Sequence, residues 1–137
     1  ANKSGNNADA NDDKYEGVAG LILNIGPVQL GAQATGEYLG NEQTGTDIYG
    51  YRNVAYGVAF NVSDNLSLSY GKMESKQGSV STDNKEPVVM SIESLQVAYT
   101  MGGASIKLAD TSLDNGSYTS GSANDKDAMT IALSLAF

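Results

Sequence analysis

The sequence has neither cysteine nor histidine among its 137 residues. Without cysteine there is no disulfide framework, no thiolate metal site and no thiol nucleophile. Without histidine, Ser-His-Asp and Cys-His arrangements are excluded, together with imidazole-held zinc and the usual general base near neutral pH. Tryptophan is absent, proline occurs twice, and eight bases face sixteen acids. The resulting net charge of -8 disfavours nucleic acid and anionic headgroups as partners. Carboxylates, hydroxyls and amides remain. That is a poor inventory for an enzyme, and no enzyme activity is expected.

What is abundant points to β structure. Sixteen glycines and eight tyrosines suit antiparallel strands joined by many turns. The first thirteen residues are polar and acidic, unlike a signal peptide. Gly17 to Gly36 carries no charge and has the length of a transmembrane helix. It nevertheless contains Asn24, Pro27, Gln29, Gln33 and several glycines, and its apolar residues alternate. A helix is therefore not expected there.

Alternation recurs along nearly the whole chain. Met129, Ile131, Leu133, Leu135 and Phe137 share one face, opposite Ala128, Thr130, Ala132, Ser134 and Ala136. Val54, Tyr56, Val58, Phe60 and Val62 repeat the pattern, as do Leu66, Leu68 and Tyr70, then Leu95, Val97, Tyr99 and Met101. Gly26-Pro27, Ser63-Asp64-Asn65 and Gly102-Gly103 read as tight turns. Residues 40–52, 76–87 and 114–125 read as long polar connections. Seven strands follow, at 14–25, 28–39, 53–62, 66–75, 88–101, 104–113 and 126–137, with residues 1–13 a loop segment. A two-residue turn at Gly26-Pro27 sets Leu23 against Leu30 and Tyr15 against Tyr38. In the fifth strand Val88, Met90 and Ile92 change parity relative to Leu95, Val97 and Tyr99, so a bulge is expected near Glu93-Ser94.

A soluble β-sandwich alternates too, and it stays open at this point. Two features favour a transmembrane barrel. The face opposite the bulky residues is mostly Ala, Gly, Ser, Thr, Gln and Asn, as a watery lumen requires. Short connections at one end and long polar ones at the other match outer-membrane barrels, whose strands need about ten residues each.

The run Ile131-Ala132-Leu133-Ser134-Leu135-Ala136-Phe137 resembles the last strand of Gram-negative outer-membrane proteins. With Tyr99-Thr100-Met101-Gly102-Gly103-Ala104-Ser105-Ile106 and the polar connection that follows, residues 50–137 resemble the end of alphaproteobacterial general porins. That resemblance implies about seven C-terminal strands of a sixteen-stranded barrel, usually a homotrimer. It also implies a constriction loop contributed from elsewhere, and an assembly signal (Leu133, Leu135, Phe137) read by the barrel assembly machinery. Strand parity agrees: an odd count places residues 1–13 on the external side, whereas complete bacterial barrels have even counts. The expected function is a water-filled outer-membrane channel for passive diffusion of small hydrophilic solutes and ions. The alternatives are a non-channel barrel acting as adhesin or anchor through its loops, a barrel enzyme, and a secreted sandwich.

Pore-lining candidates are Lys107, Gln96, Gln33, Gln29, Glu16 and Glu37. Lys107, with Ala98 opposite, has the position of an inward base facing a constriction loop, by resemblance. The plainer reading is an ordinary hydrated lumen lysine with no special part. Glu16 and Glu37 fall opposite each other, a like-charge pair that water or a cation relieves, at a cost of roughly 0.2–1 kcal/mol if poorly solvated. Asp9, Asn11, Asp12 and Asp13, and Asn124-Asp125 with Asp127, are oxygen-rich, as loop-bound calcium requires. Neither matches a calcium-loop spacing, so solvated acidic loops are the plainer reading and no cofactor is expected. Gly17, Ala19, Ala32, Ala34 and Gly36 form a patch of little bulk, able to seat lipid or a neighbouring subunit.

Overall fold

The structure, a computed structural model, describes residues 14–39, 48–79 and 87–136. Seven strands form one antiparallel sheet in chain order. They are β1 (Tyr15–Ile25), β2 (Val28–Tyr38), β3 (Ile48–Asn61), β4 (Leu66–Ser79), β5 (Val89–Met101), β6 (Ala104–Asp114) and β7 (Lys126–Leu135). Each strand pairs with its sequence neighbours, so every connection is a hairpin. Alternation at period two fits this because each residue shift exchanges the faces.

The first hairpin has the expected register, with Leu23 opposite Leu30 and Tyr15 opposite Tyr38. The two tyrosine rings meet at 5.1 Å between centroids. Gly26 begins the turn at φ 57°, in the left-handed region that Gly tolerates, and Pro27 follows with its fixed negative φ. Gly102 does the same at the third short turn, also at φ 57°. At the second, the Ser63 hydroxyl accepts the N–H groups of Asn65 and Leu66 at 3.3 and 3.2 Å.

Two expectations are corrected. No bulge exists at Glu93-Ser94: β5 runs in unbroken register against β4 and β6, from Val89 to Met101. Met90 and Ile92 therefore lie on the face opposite Leu95, Val97 and Tyr99, and the parity change is a change of face content. The one irregularity of the β3–β4 pair lies between Ile48 and Gly50. Strands β3 and β4 also extend beyond 53–62 and 66–75, taking in 48–52 and 76–79 that read as connections. Arg52, Lys76 and Gln77 are polar enough to imitate a loop, but the backbone ladder continues through them.

One face carries the bulk. It collects Leu21, Leu23, Ile25, Leu30, Val54, Tyr56, Val58, Phe60, Leu68, Tyr70, Leu95, Val97, Tyr99, Ile106, Leu108 and the odd residues of β7. Nothing covers it. Among the described residues no hydrophobic side chain is buried, and Met129 and Ile131 stand 75% and 69% exposed.

The sheet is also sheared. Ile25, Val28, Phe60, Leu68, Val97, Leu108 and Ile131 share one row of the ladder. The first hairpin turns directly beyond that row. The second continues through one more pair on this face, Val62 with Leu66. The third continues through two, Tyr99 with Ile106 and Met101 with Ala104. The short turns therefore step by two residues per hairpin, or one per strand. At about 3.3 Å per residue and about 4.8 Å between strands, that stagger inclines the strands by about 35° to the normal of the line joining the turns.

The turn chemistry yields a prediction. Gly26→Val forces a β-branched residue into the left-handed region and lowers stability by about 1–3 kcal/mol. Gly26→Asn, which tolerates that region, lowers it by less. Urea unfolding of the two variants beside the parent protein measures the order.

Candidate functional site

The second face of the sheet is polar and built of small residues. Its middle rows read Ile22, Gly31, Gly57, Gly71, Ser94, Thr111 and Ala128, then Asn24, Gln29, Ala59, Ser69, Gln96, Ala109 and Thr130. A hollow of about 860 Å³ lies against them, lined among others by Gln29, Gln33, Gly57, Ser69 and Gln96. Side chains bond to one another both across neighbouring strands and, for Gln96 and Ser94, along β5. Gln29 donates to Asn24 Oδ1 at 2.8 Å, Gln96 Nε2 to Ser94 Oγ at 3.4 Å, and the Ser94 and Thr111 hydroxyls lie 3.0 Å apart.

The three candidate glutamines thus come together in one hollow. The charged candidates do not join them. Lys107 is exposed on the same face, between Ala98 and Ala132, only four residues beyond the short turn at Gly102-Gly103. Glu16 and Glu37 face each other at the opposite end of the sheet, as expected. Their neighbour Lys14 supplies the relieving cation, with Nζ 2.6 Å from Glu37 Oε1. The hydrogen bond to Glu37, then its charge, hold the Lys14 ammonium above the ordinary lysine range.

The face is less uniformly small than its sequence suggests. Met73, Ile92 and Leu113 form one row across β4, β5 and β6, with Gln33 and Ala55 continuing it. The next row toward the long connections holds Thr35, Asn53, Ser75 and Met90. Ser75 is the most enclosed polar residue among those described, at 2% exposure.

What encloses Ser75 is the connection between β6 and β7. Residues 116–118 and 122–124 form two short 3-10 turns. From there the Tyr118 hydroxyl reaches Ser75 Oγ in β4 at 2.6 Å, and its ring lies 5.9 Å from that of Tyr51 in β3. The donors can be assigned. Asn53 Nδ2 donates to Thr35 Oγ1 at 3.0 Å, and Ser75 donates its single hydroxyl hydrogen to Asn53 Oδ1. Tyr118 must then be the donor to Ser75. A chain of hydrogen bonds runs from the connection across three strands.

The base of the connection is fixed as well. Asn115 donates its backbone N–H to Asp125 Oδ1 at 2.9 Å and its side-chain amide to the Val89 carbonyl at 3.0 Å. A side chain at Gly116 would place its Cβ 2.8 Å from the Asn124 carbonyl, so only Gly fits that approach. Asp125, a calcium candidate, is thus engaged in closing its own loop. Among the described residues no group of three acidic side chains converges to hold a metal ion. Asp9, Asn11, Asp12, Asp13 and Phe137 lie outside the described residues. Leu133 and Leu135 stand on the apolar face, opposite Ile106 and Ala104.

Charges also appear on the apolar face, but only toward the long connections. Lys72 Nζ lies 2.6 Å from Glu93 and 3.6 Å from Glu74. The first charge on this face is Arg52 in β3, Lys72 in β4, Glu93 in β5, Asp110 in β6 and Asp127 in β7, whereas β1 and β2 carry none there. The limit of the apolar band therefore stands higher in the ladder on β3 than on β4 to β7, a step in the same sense as that of the short turns.

Comparison with protein-family models, curated proteins and solved structures found no match.

The hydrogen-bond chain predicts an ordering of variants. Ser75→Ala leaves Asn53 Oδ1 and the Tyr118 hydroxyl without partners in an enclosed site, and costs about 1–3 kcal/mol. Tyr118→Phe removes only the terminal donor and costs about 0.5–1.5 kcal/mol. Unfolding midpoints of the two variants test the order.

Proposed function

We propose that this sheet is wall of an outer-membrane β-barrel that forms a water-filled channel for passive diffusion of small hydrophilic solutes and ions. The carrying observation is the uncovered apolar face, whose band is inclined to the ladder rows. A soluble sandwich needs a second layer over such a face, and among the described residues there is none. A bilayer is the other medium that covers it.

The inclination supports closure into a barrel. A sheet that wraps around an axis must tilt its strands and stagger their ends together, typically at 35–45°. The stagger of one residue per strand corresponds to about 35°. Tilted this way, the three short turns come to one level. The free edges along β1 and β7 must then be paired, because hydrocarbon offers unpaired backbone groups no partner.

The polar face supports a channel. Glycine, alanine, serine and glutamine leave volume free where strands converge on a lumen, and their polar groups are hydrated. Lys107 toward one end and Glu16 and Glu37 at the other give solutes a charged environment at both ends of this wall. By resemblance to general porins the assembly is a homotrimer of sixteen-stranded barrels, with no cofactor and no covalent step.

Two measurements on the full-length protein test the reading. On SDS gels the unboiled protein runs at a different position from the boiled one, as SDS-resistant barrels do. In planar bilayers it opens ohmic steps that carry both potassium and chloride. A water-soluble protein with neither a heat shift nor conductance contradicts the proposal.

A further inference from the structure

The β6–β7 connection does not extend away from the sheet, as long connections at a barrel rim are free to do. It turns back over the polar face. Sheet order places β5 and β6 between its root and β4, yet Tyr118 reaches Ser75 of β4 and Tyr51 of β3. On the reading of the polar face as a lumen, the segment occupies the channel.

We infer that residues 115–125 form a constriction latched by Tyr118, which limits solute size at the long-connection end of the channel. This rests on the proposed function, and three independent observations carry it. First, the latch is enclosed: Ser75 is 2% exposed beneath the tyrosine, the one buried polar side chain among the described residues. Second, Asn115, Ser117 and Tyr118 hold φ values of 53°, 58° and 56°, although none is glycine. Three residues in the left-handed region cost several kcal/mol in total, so the surroundings must impose that conformation. The Asn115 bonds to Asp125 and Val89 and the Tyr118 bond to Ser75 impose it. Third, the underlying rows offer the segment a seat unlike the rest of the face. Met73, Ile92, Leu113 and Met90 are bulky, while the rows toward the short turns hold mainly Gly, Ala, Ser, Thr and Gln.

The alternative is a rim loop that braces the sheet without narrowing the path. Conductance separates the two, because bracing changes stability and leaves the pore section unaltered. The sequence contains no cysteine, so Tyr118→Cys introduces a single thiol in it.

The experiment uses the full-length protein in planar bilayers. Tyr118→Ala raises single-channel conductance by roughly 1.2- to 2-fold and admits larger uncharged sugars, since pore diameter sets both. A methanethiosulfonate carrying a bulky trimethylammonium group, added to open Tyr118→Cys channels, lowers the current stepwise. Modification in place acts only on channels already folded and conducting, so it decides the matter even if Tyr118→Ala fails to assemble. Unchanged current after complete modification of Tyr118→Cys, shown by mass, overturns the constriction while leaving the channel reading intact. Absence of any conductance from the parent protein overturns both.

Discussion

The backbone ladder carries this fold, because side-chain burial does not. Each inner strand exchanges hydrogen bonds with two neighbours along most of its length, and the register is continuous through five of the six pairs. In a water-soluble domain such a ladder is secondary to a buried apolar core, since water competes for every N–H and C=O. Here the described residues bury no hydrophobic side chain. The apolar surface that would ordinarily stabilise a fold lies on one side of a single layer. In hydrocarbon the balance reverses. Backbone groups have no competing partner there, so a continuous ladder becomes obligatory, and an uncovered apolar face becomes the correct surface.

The same ladder organises the two faces differently. On the apolar face the band of large side chains is bounded by turns at one end and by Arg52, Lys72, Glu93 and Asp110 at the other. The turns step across the sheet, and the charged limit stands higher on β3 than on β4 to β7, as a band does when strands cross it at an angle. On the polar face, small residues dominate the middle rows of β2 to β7, and a row of bulky side chains (Met73, Ile92, Leu113) follows toward the β6–β7 connection. The stagger of the turns, the apolar band and the small-residue rows of the polar face are thus three consequences of one register.

Much of this architecture was legible because strands reveal themselves by period. Tyr15 opposite Tyr38 followed from the single assumption of a two-residue turn at Gly26-Pro27. The three short turns and the number of strands followed from alternation. The failures share a cause: polarity was taken as a proxy for position. Arg52 and Lys76 suggested loops, yet they belong to strands whose outward side chains lie beyond the apolar band. Met90 and Ile92 suggested a bulge that would keep them on the apolar face, yet they lie under a loop. Lys14 fell at the edge of an acidic segment and gave no sign of its bond to Glu37. Least legible was the connection at 115–125. Its Ser, Gly, Asn and Asp composition is that of any hydrated loop, and nothing local distinguishes Tyr118 from a surface tyrosine. Its bond partner lies 43 residues earlier in the chain. Only the register, which stacks Asn53 against Ser75, brings the two together.

The account depends on one claim, that the two faces of this sheet meet different solvents. Site-directed spin labelling along β7 and β5 measures it directly, with single cysteines placed at successive residues from Ala128 to Leu135 and from Ser94 to Met101. In the native membrane-reconstituted protein, accessibility to oxygen peaks at Met129, Ile131, Leu133, Leu95, Val97 and Tyr99. Accessibility to a water-soluble nickel chelate peaks at the residues between them, so the two profiles alternate out of phase with period two. Equal nickel accessibility on both faces, or alternation in a protein that remains in aqueous solution, contradicts the account.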